Sequence, residues 1–233
     1  MRRLASKLKE ETRELEENKV DVRQEDKTIR SFTIPHQDQN GVLVAISALK
    51  IIHNHESVVK PIKLLELRKR THLLITGPNG IGKSTLLRSL VSGEHEGAKI
   101  AEDVRVGYYS QDFSNLNFEE TVFDSLKNAK IDGIDEHQLR SVAAGFLITS
   151  GLMEHRVGDL SEGQKGLLSF ARLVLQEPGI LILDEPTNHI NFRHIPVIAK
   201  AVNDYQGLLL MVSHMPEFVK QIRIDEELDL GKI

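Results

Sequence analysis

The chain has 233 residues, of which 40% are hydrophobic and 27% charged, a balance typical of globular domains that excludes wholly disordered and fibrous proteins. Thirty Lys and Arg against 34 Asp and Glu give a net charge of −4, which excludes a global basic field for nucleic acid but leaves room for a local basic patch. The lack of cysteine excludes disulfides and thiol chemistry, and no apolar run approaches the roughly 18 residues that span a bilayer, so we expect a soluble, cytoplasmic protein without membrane insertion.

The first thirty residues are distinguished by their charge, with nine basic and eight acidic side chains. Leu4, Leu8 and Leu15 recur at helical spacing, and opposite charges four residues apart support an exposed helix. The apolar stripe is too thin to bury against a core, so the segment is interpreted as a solvated extension or as a linker or partner-binding helix. A proline and a polar run follow, and we predict a charged helical extension over 1–35 ahead of one domain over 36–233.

Short apolar runs alternate with helical patterns through the rest of the chain. The predicted strands cover 42–46, 72–76, 180–183 and 208–212, and the predicted helices cover 84–91, 121–129, 136–148 and 163–176. Because the strand runs lack strict apolar–polar alternation, they favour strands covered on both faces in a parallel or mixed sheet. Asp135 is expected to cap the third helix, with Gln138 as its reciprocal partner. This alternation predicts an α/β fold with a helical insert.

The segment between the second predicted strand and the first predicted helix matches the pattern G-x-x-x-x-G-K-[ST]. Its residues are Gly77, Pro78, Asn79, Gly80, Ile81, Gly82, Lys83, Ser84 and Thr85. The glycines let successive N–H groups converge on a phosphate, and the following helix presents its N-terminus to the same anion. Lys83 supplies a cation for the β- and γ-phosphates, and the Ser84 hydroxyl is a Mg²⁺ ligand. With a strand before it and a helix after it, the loop predicts a nucleoside triphosphate site rather than a chance glycine-rich turn.

Two acidic residues, Asp184 and Glu185, end the third predicted strand. Ligands of doubly wound sheets collect at the carboxyl ends of strands, so these carboxylates are expected to face the phosphate loop rather than form a plain exposed strand end. Asp184 suits a Mg²⁺ contact, direct or through water, and Glu185 is placed to orient or deprotonate an attacking water. His214 follows the fourth predicted strand at the same edge, where a γ-phosphate contact is favoured over a structural role.

Together these features resemble the ATP-binding-cassette (ABC) superfamily over about residues 40–233. Five motifs stand in the family's order, namely the phosphate loop, Gln111 after Gly107-Tyr108-Tyr109-Ser110, the run Leu160-Ser161-Glu162-Gly163-Gln164, the Asp184-Glu185 strand and His214. The resemblance implies a P-loop ATPase with a mixed sheet flanked by helices, and a helical subdomain at about 114–165 that carries the signature. It also implies ATP and Mg²⁺ as cofactors, with Gln111 contacting Mg²⁺ and the attacking water, and Glu185, His214 and Gln111 as the catalytic residues.

The same resemblance assigns Ser161, Glu162, Gly163 and Gln164 to a signature that closes on the γ-phosphate of an ATP held by a second cassette. Ser161 heads a helix whose N-terminus can receive an anion, although Ser161-x-x-Gln164 reads equally well as a plain capping box. Glu162 replaces the usual glycine of the signature and adds negative charge there. Since one chain has one phosphate loop and one signature, a partner cassette is expected, by self-association or from a missing half of a tandem protein.

The run Asp184-Glu185-Pro186-Thr187-Asn188-His189-Ile190 is similar to the ABC-F subfamily, whose soluble members act on ribosomes. The charged N-terminal helix and Arg30-Ser31-Phe32 also resemble the end of the long helical linker before the second cassette of those proteins, so residues 1–30 are interpreted as a linker remnant. Asn191 stands where an aspartate normally follows. Together, Asn191 and Glu162 favour slow ATP turnover more than weak ATP binding.

Other parts of the resemblance leave choices open. The region where adenine is expected to stack contains no Tyr or Phe, and His53 or His55 is predicted to substitute. A basic cluster either contacts RNA phosphates or forms a solvated face; its residues are Lys60, Lys63, Arg68, Lys69 and Arg70. The main interpretation is a soluble ATPase acting on ribosomes. The alternatives are the nucleotide-binding subunit of a transporter and an ATP-binding module with little hydrolysis.

Overall fold

The computed structural model describes residues 27–53 and 56–233, without the side chain of His53. The leucine stripe of the predicted N-terminal helix lies outside this part of the chain. So do the predicted base-contacting side chains of His53 and His55.

Eight strands form two sheets in the described part of the chain. They are β1 (Val42–His53), β2 (Glu56–Arg68), β3 (His72–Thr76), β4 (Ala98–Ile100), β5 (Val106–Tyr109), β6 (Ile180–Asp184), β7 (Leu208–Val212) and β8 (Glu226–Asp229). The first sheet has three strands in the order β2-β1-β4, with antiparallel pairing. The second has five parallel strands in the order β5-β6-β7-β3-β8, so its carboxyl ends meet at one edge. The predicted mixed α/β fold is confirmed.

Six α-helices connect these strands within the described residues. They are α1 (Lys83–Ser92), α2 (Val122–Ala129), α3 (Glu136–Gly145), α4 (Glu162–Gln176), α5 (Ile195–Asn203) and α6 (Pro216–Val219). The predicted capping box at the start of α3 is present, because Asp135 accepts from the Gln138 backbone N–H and Gln138 accepts from the Asp135 backbone N–H. The helix predicted to run to 148 ends at Gly145, because Leu147 turns into the left-handed region with φ 63°.

The parallel sheet lies between two apolar layers. Along β6, Ile180 and Ile182 pack with the first sheet and α1, whereas Leu181 and Leu183 pack with α2 to α5. All five residues of β6 and of β7 are buried. Uninterrupted apolar runs are therefore what both faces of these strands require.

Residues 27–41 run along the body of the protein. Ile29 and Ile34 are buried in the same cluster as α2 to α5. The ring of Phe32 lies 4.7 Å from the ring of Phe146 in an edge-on contact. The described end of the predicted N-terminal extension thus contributes to the core.

Candidate nucleotide-binding site

The phosphate loop joins the end of β3 to the start of α1. Its three glycines all have positive φ, 135° at Gly77, 79° at Gly80 and 108° at Gly82, a region that other residues enter only at a cost. Gly82 precedes α1, and no side chain caps this helix N-terminus. The first N–H groups of α1 therefore face the loop without an internal partner, which suits a bound anion.

Lys83 lies over this loop and is only 7% exposed. Its Nζ donates to the carbonyl oxygens of Gly77 at 2.8 Å and Pro78 at 3.0 Å. The loop's own backbone thus holds the ammonium beside the curled N–H groups. A phosphate seated there would meet a fixed positive charge.

Ser84 and Asp184 meet across the sheet edge, as the sequence predicted. The Ser84 hydroxyl donates to Asp184 Oδ1 at 3.0 Å, and Asp184 is fully buried. Its other oxygen, Oδ2, has no hydrogen-bond partner among the described residues. Burial, as the largest influence, raises the pKa of Asp184, and the neighbouring Glu185 carboxylate adds to this while the Ser84 hydrogen bond opposes it. A buried hydroxyl–carboxylate pair with one unsatisfied oxygen is a donor set that fits Mg²⁺.

Glu185 follows at the same edge with φ 49°, in the left-handed region. Its side chain is buried, and Oε2 accepts from the backbone N–H of His214 at 3.1 Å. The other oxygen, Oε1, lies 3.5 Å from His214 Nε2 and has no hydrogen-bond partner in the part of the chain that the structure describes. An unusual backbone conformation at a residue with a buried, unsatisfied carboxylate oxygen is typical of a functional position.

One cavity of about 440 Å³ is lined by Lys83, Ser84 and Glu185 together with other residues of the loop and the sheet edge. Its wall consists of Ile52, Asn79, Gly80, Gly82, Lys83, Ser84, Thr85, Gln111, Glu185, Asn188, Val212 and His214. The structure therefore brings Gln111 and His214 to the phosphate loop and to Glu185. Asp112, next to Gln111, forms an ion pair with Arg88 of α1 at 3.0 Å, which ties the Gln111 segment to the loop helix.

Sequence reasoning missed three residues that line the cavity, namely Ile52, Asn188 and Val212. The backbone N–H of Ile52 donates to the carbonyl of Ile81 at 2.9 Å, so the end of β1 is joined to the phosphate loop. Its side chain is 39% exposed and offers an aliphatic wall to the cavity. Asn188 could have been found as the residue three positions after Glu185 in a tight turn, where its N–H donates to the Glu185 carbonyl at 3.3 Å.

The signature residues lie elsewhere. Ser161 and Gln164 form the reciprocal capping box that starts α4. Ser161, Gly163 and Gln164 line a different cavity of about 540 Å³, together with Asn191 and Phe192. They do not line the phosphate cavity of their own chain.

The donor set limits how Mg²⁺ could be held. Among residues 27–53 and 56–233, no group of three or more His, Asp or Glu is arranged to hold a metal ion. Ser84 and Asp184 supply a hydroxyl and a carboxylate, with Gln111 in the same cavity wall. Mg²⁺ commonly completes its shell with waters and substrate phosphates, so these residues fit an ion that arrives with a nucleotide.

We predict that Asp184→Asn raises the melting temperature of the nucleotide-free protein but weakens the further stabilisation by nucleotide. A raised pKa means that the folded state favours the protonated acid, so the charged carboxylate destabilises the nucleotide-free fold above that pKa. The neutral amide should raise the melting temperature of the free protein, by about 2–4 °C for each kcal/mol gained. It should also reduce the further rise caused by ATP with Mg²⁺, because the carboxylate that is expected to contact Mg²⁺ is lost.

Thermal unfolding over a pH series from pH 8 down to the ordinary Asp pKa of 3.8 checks this prediction. The difference in melting temperature between the variant and the wild type should narrow toward the low end of the series, because the wild-type carboxyl is protonated there in the folded state first. A variant that melts below the wild type without nucleotide at pH 8 would contradict it.

Comparison with known proteins agrees with this geometry. Residues 59–188 match the family described as ABC transporter. The Escherichia coli O157:H7 protein named Probable ATP-binding protein YbiT is 40% identical over 164 residues, which cover 68% of this chain and 30% of that protein. ABC transporter F family member 2 of Arabidopsis thaliana is 31% identical over 182 residues, which cover 72% of this chain and 26% of that protein. The chain thus spans about a third or less of these relatives.

A solved structure shares the fold. The ATP-binding cassette MJ0796, determined as a dimer in a post-hydrolysis state with ADP and phosphate, aligns with a TM-score of 0.60 at 20% identity. The alignment covers 81% of this chain and 95% of that one. In the described part of the present structure, no helix combines the length and the apolar character needed to cross a bilayer.

Proposed function

The chain belongs to the ABC transporter family of ATP-binding domains, and on that premise we propose that it is the ATP-hydrolysing cassette of an ABC-F-like protein that acts on ribosomes. The observation that carries the ATPase part is that Lys83, Ser84 and Glu185 line one cavity, while Asp184 accepts a hydrogen bond from the Ser84 hydroxyl. ABC cassettes bind ATP or ADP, usually with Mg²⁺, and generally hydrolyse ATP. We extend that property to this chain.

Each residue has a role that its position supports. The amides from Gly77 to Thr85 and the Lys83 ammonium bind the triphosphate, while Ser84, Asp184 and Gln111 would hold Mg²⁺, which supplies charge neutralisation at the phosphates when bound. Glu185 accepts a proton from a water aimed at the γ-phosphorus through its unsatisfied Oε1. His214 is placed beside it to contact the γ-phosphate.

The signature requires a second cassette. Ser161 and Gly163 line a cavity separate from the phosphate cavity of the same chain, so they can meet a nucleotide only when it is held by another cassette. That partner is a second copy of this chain or the other half of a tandem protein, of which this chain would be one part. Hydrolysis would then remove the phosphate that bridges the two cassettes.

The domain division is part of the proposal. We assign 36–233 to the ATPase domain, with a helical subdomain at about 114–165, and 1–35 to a linker. The inward packing of Ile29 and Ile34 supports a linker that is anchored on the domain at its end.

The ribosomal role rests on the ABC-F resemblance and on the relative named as an F family member. The basic cluster gives it less support than the sequence suggested. Lys60 donates to the Ile233 carbonyl at 2.7 Å, Arg68 pairs with Glu66, and Lys69 pairs with Asp38. These contacts occupy three of its five cations.

Sedimentation of the Glu185→Gln variant from a cell lysate tests this function. With ATP the variant should travel with ribosomes, and with ADP it should remain in the supernatant. The double variant Lys83→Ala/Glu185→Gln is the control and should not sediment with either nucleotide. Sedimentation with membranes would favour a transporter subunit, and tight ATP binding with background phosphate release by the wild type would favour a non-hydrolysing module.

A further inference from the structure

The first residue of the signature helix is paired with the loop that follows Glu185. Glu162 Oε2 lies 2.9 Å from His189 Nδ1. The backbones are also close, because a methyl group on Gly163 would meet the His189 carbonyl oxygen at 3.3 Å. The two segments are therefore packed closely at this contact, with little space for either to shift toward the other.

His189 is held from a second side by the segment that carries Gln111. The ring of Phe113 lies 5.3 Å from the imidazole ring, at an interplanar angle of 49°. Phe113 is buried and fixed in a turn with φ 55°. The imidazole is thus oriented toward Glu162 by a rigid neighbour.

The Glu162 carboxylate is a potential competitor for the signature. It sits in the first turn of α4, where a negative charge is attracted to the free N–H groups and the positive end of the helix dipole. A phosphate arriving at this helix end from an opposing cassette would seek the same groups. The Glu162 side chain is 70% exposed, whereas the His189 side chain is 26% exposed.

We propose that His189 is a positioning residue that holds the Glu162 carboxylate aside and leaves the signature open to the phosphate of the opposing nucleotide. This inference rests on the proposed function, in which the signature meets an ATP bound by a second cassette. His189 acts through Glu162 and does not touch the nucleotide. This arrangement explains how a signature with an acidic residue in place of glycine remains able to receive an anion.

The proposal predicts that the two residues depend on each other. Without the imidazole, Glu162 is released toward the helix N-terminus and repels the incoming phosphate. Without the carboxylate there is nothing to hold aside, so the loss of His189 should have little effect. An exposed pair of this kind contributes little to folding, so the variants are expected to remain folded.

ATP-dependent self-association of the Glu185→Gln chain, followed by sedimentation velocity, tests the proposal. Competition at one helix N-terminus weakens anion binding by about two- to five-fold, and a symmetric pair contains two such sites. Adding His189→Ala should therefore weaken association by about four- to 25-fold. When the chain also carries Glu162→Gln, adding His189→Ala should change the strength of self-association by less than about two-fold.

A matched substitution distinguishes the loss of the contact with Glu162 from the loss of the bulk of the His189 ring. His189→Gln keeps a side-chain donor that can reach Glu162, and it should retain most of the association. Equal losses from His189→Ala with and without the Glu162 carboxylate would show a purely structural role and overturn the proposal. If the Glu185→Gln chain binds ATP but does not self-associate, two copies of this chain do not form the sandwich. The partner in the proposed function is then the other half of a tandem protein, and the inference drawn between two copies is overturned.

Discussion

Lys83→Ala should abolish useful ATP binding, with a loss of affinity of about 100-fold or more. The ammonium is held by the carbonyl oxygens of Gly77 and Pro78 beside the free N–H groups of α1. A triphosphate in the loop brings several negative charges into a partly enclosed cavity, where a fixed cation is worth more than in bulk water. Among residues 27–53 and 56–233, no other Lys or Arg lines that cavity.

Isothermal titration with ATP and Mg²⁺ measures the affinity. Lys127→Ala, which removes an exposed lysine near the end of α2, is the matched control and should bind as the wild type does. The fold should survive in Lys83→Ala, since the two carbonyl groups it leaves can bond to water in the cavity. Wild-type affinity in Lys83→Ala would show that this loop is not the triphosphate site.

The central strands and the phosphate loop were predictable because their signals are local. Strands buried on both faces leave continuous apolar runs, and β6 and β7 are such strands. The loop combines glycines at positions of positive φ with a following helix, and both belong to one short segment. The meeting of Asp184 with Ser84 followed from one rule, that the carboxyl ends of parallel strands share an edge.

The first sheet could not be predicted in the same way. β2 is a long strand that mixes exposed apolar and basic residues around Pro61, which resembles a loop in sequence. Its pairing with β1 shifts register between Val42 and Val44 and again between Ile46 and Ala48. A shift of one residue turns every following side chain to the other face, so whether Ile52 or a neighbour faces the cavity is decided by these two irregularities.

Contacts between distant segments were also beyond the sequence. Glu162 was visible as a departure from the signature, but nothing local indicates that His189, on another segment, pairs with it. The reversal of φ at Glu185 is likewise imposed by its surroundings, through its N–H bond to the Val212 carbonyl. Such features arise from tertiary packing.

Glu185→Gln should lower the rate of ATP hydrolysis by about 100- to 10,000-fold, the range that a positioned general base contributes. The amide has nearly the same shape, and its oxygen can still accept from the His214 N–H that now bonds Oε2 at 3.1 Å. What is lost is the capacity of the buried Oε1 position to take a proton from water. ATP affinity should stay within a few-fold of the wild type, because the phosphate loop and Lys83 are untouched.

Two measurements on the same protein separate these effects, namely steady-state phosphate release and ATP affinity by titration. Glu217→Gln, a change at an exposed glutamate that pairs with Lys220, is the control and should hydrolyse ATP as the wild type does. A Glu185→Gln rate above about a tenth of the wild-type rate would exclude Glu185 as the base, since catalysis by a positioned acid or base is larger than that. A joint fall in rate and affinity would instead show that the carboxylate helps to hold the nucleotide, and the assignment of binding to the loop and of proton transfer to Glu185 would fail.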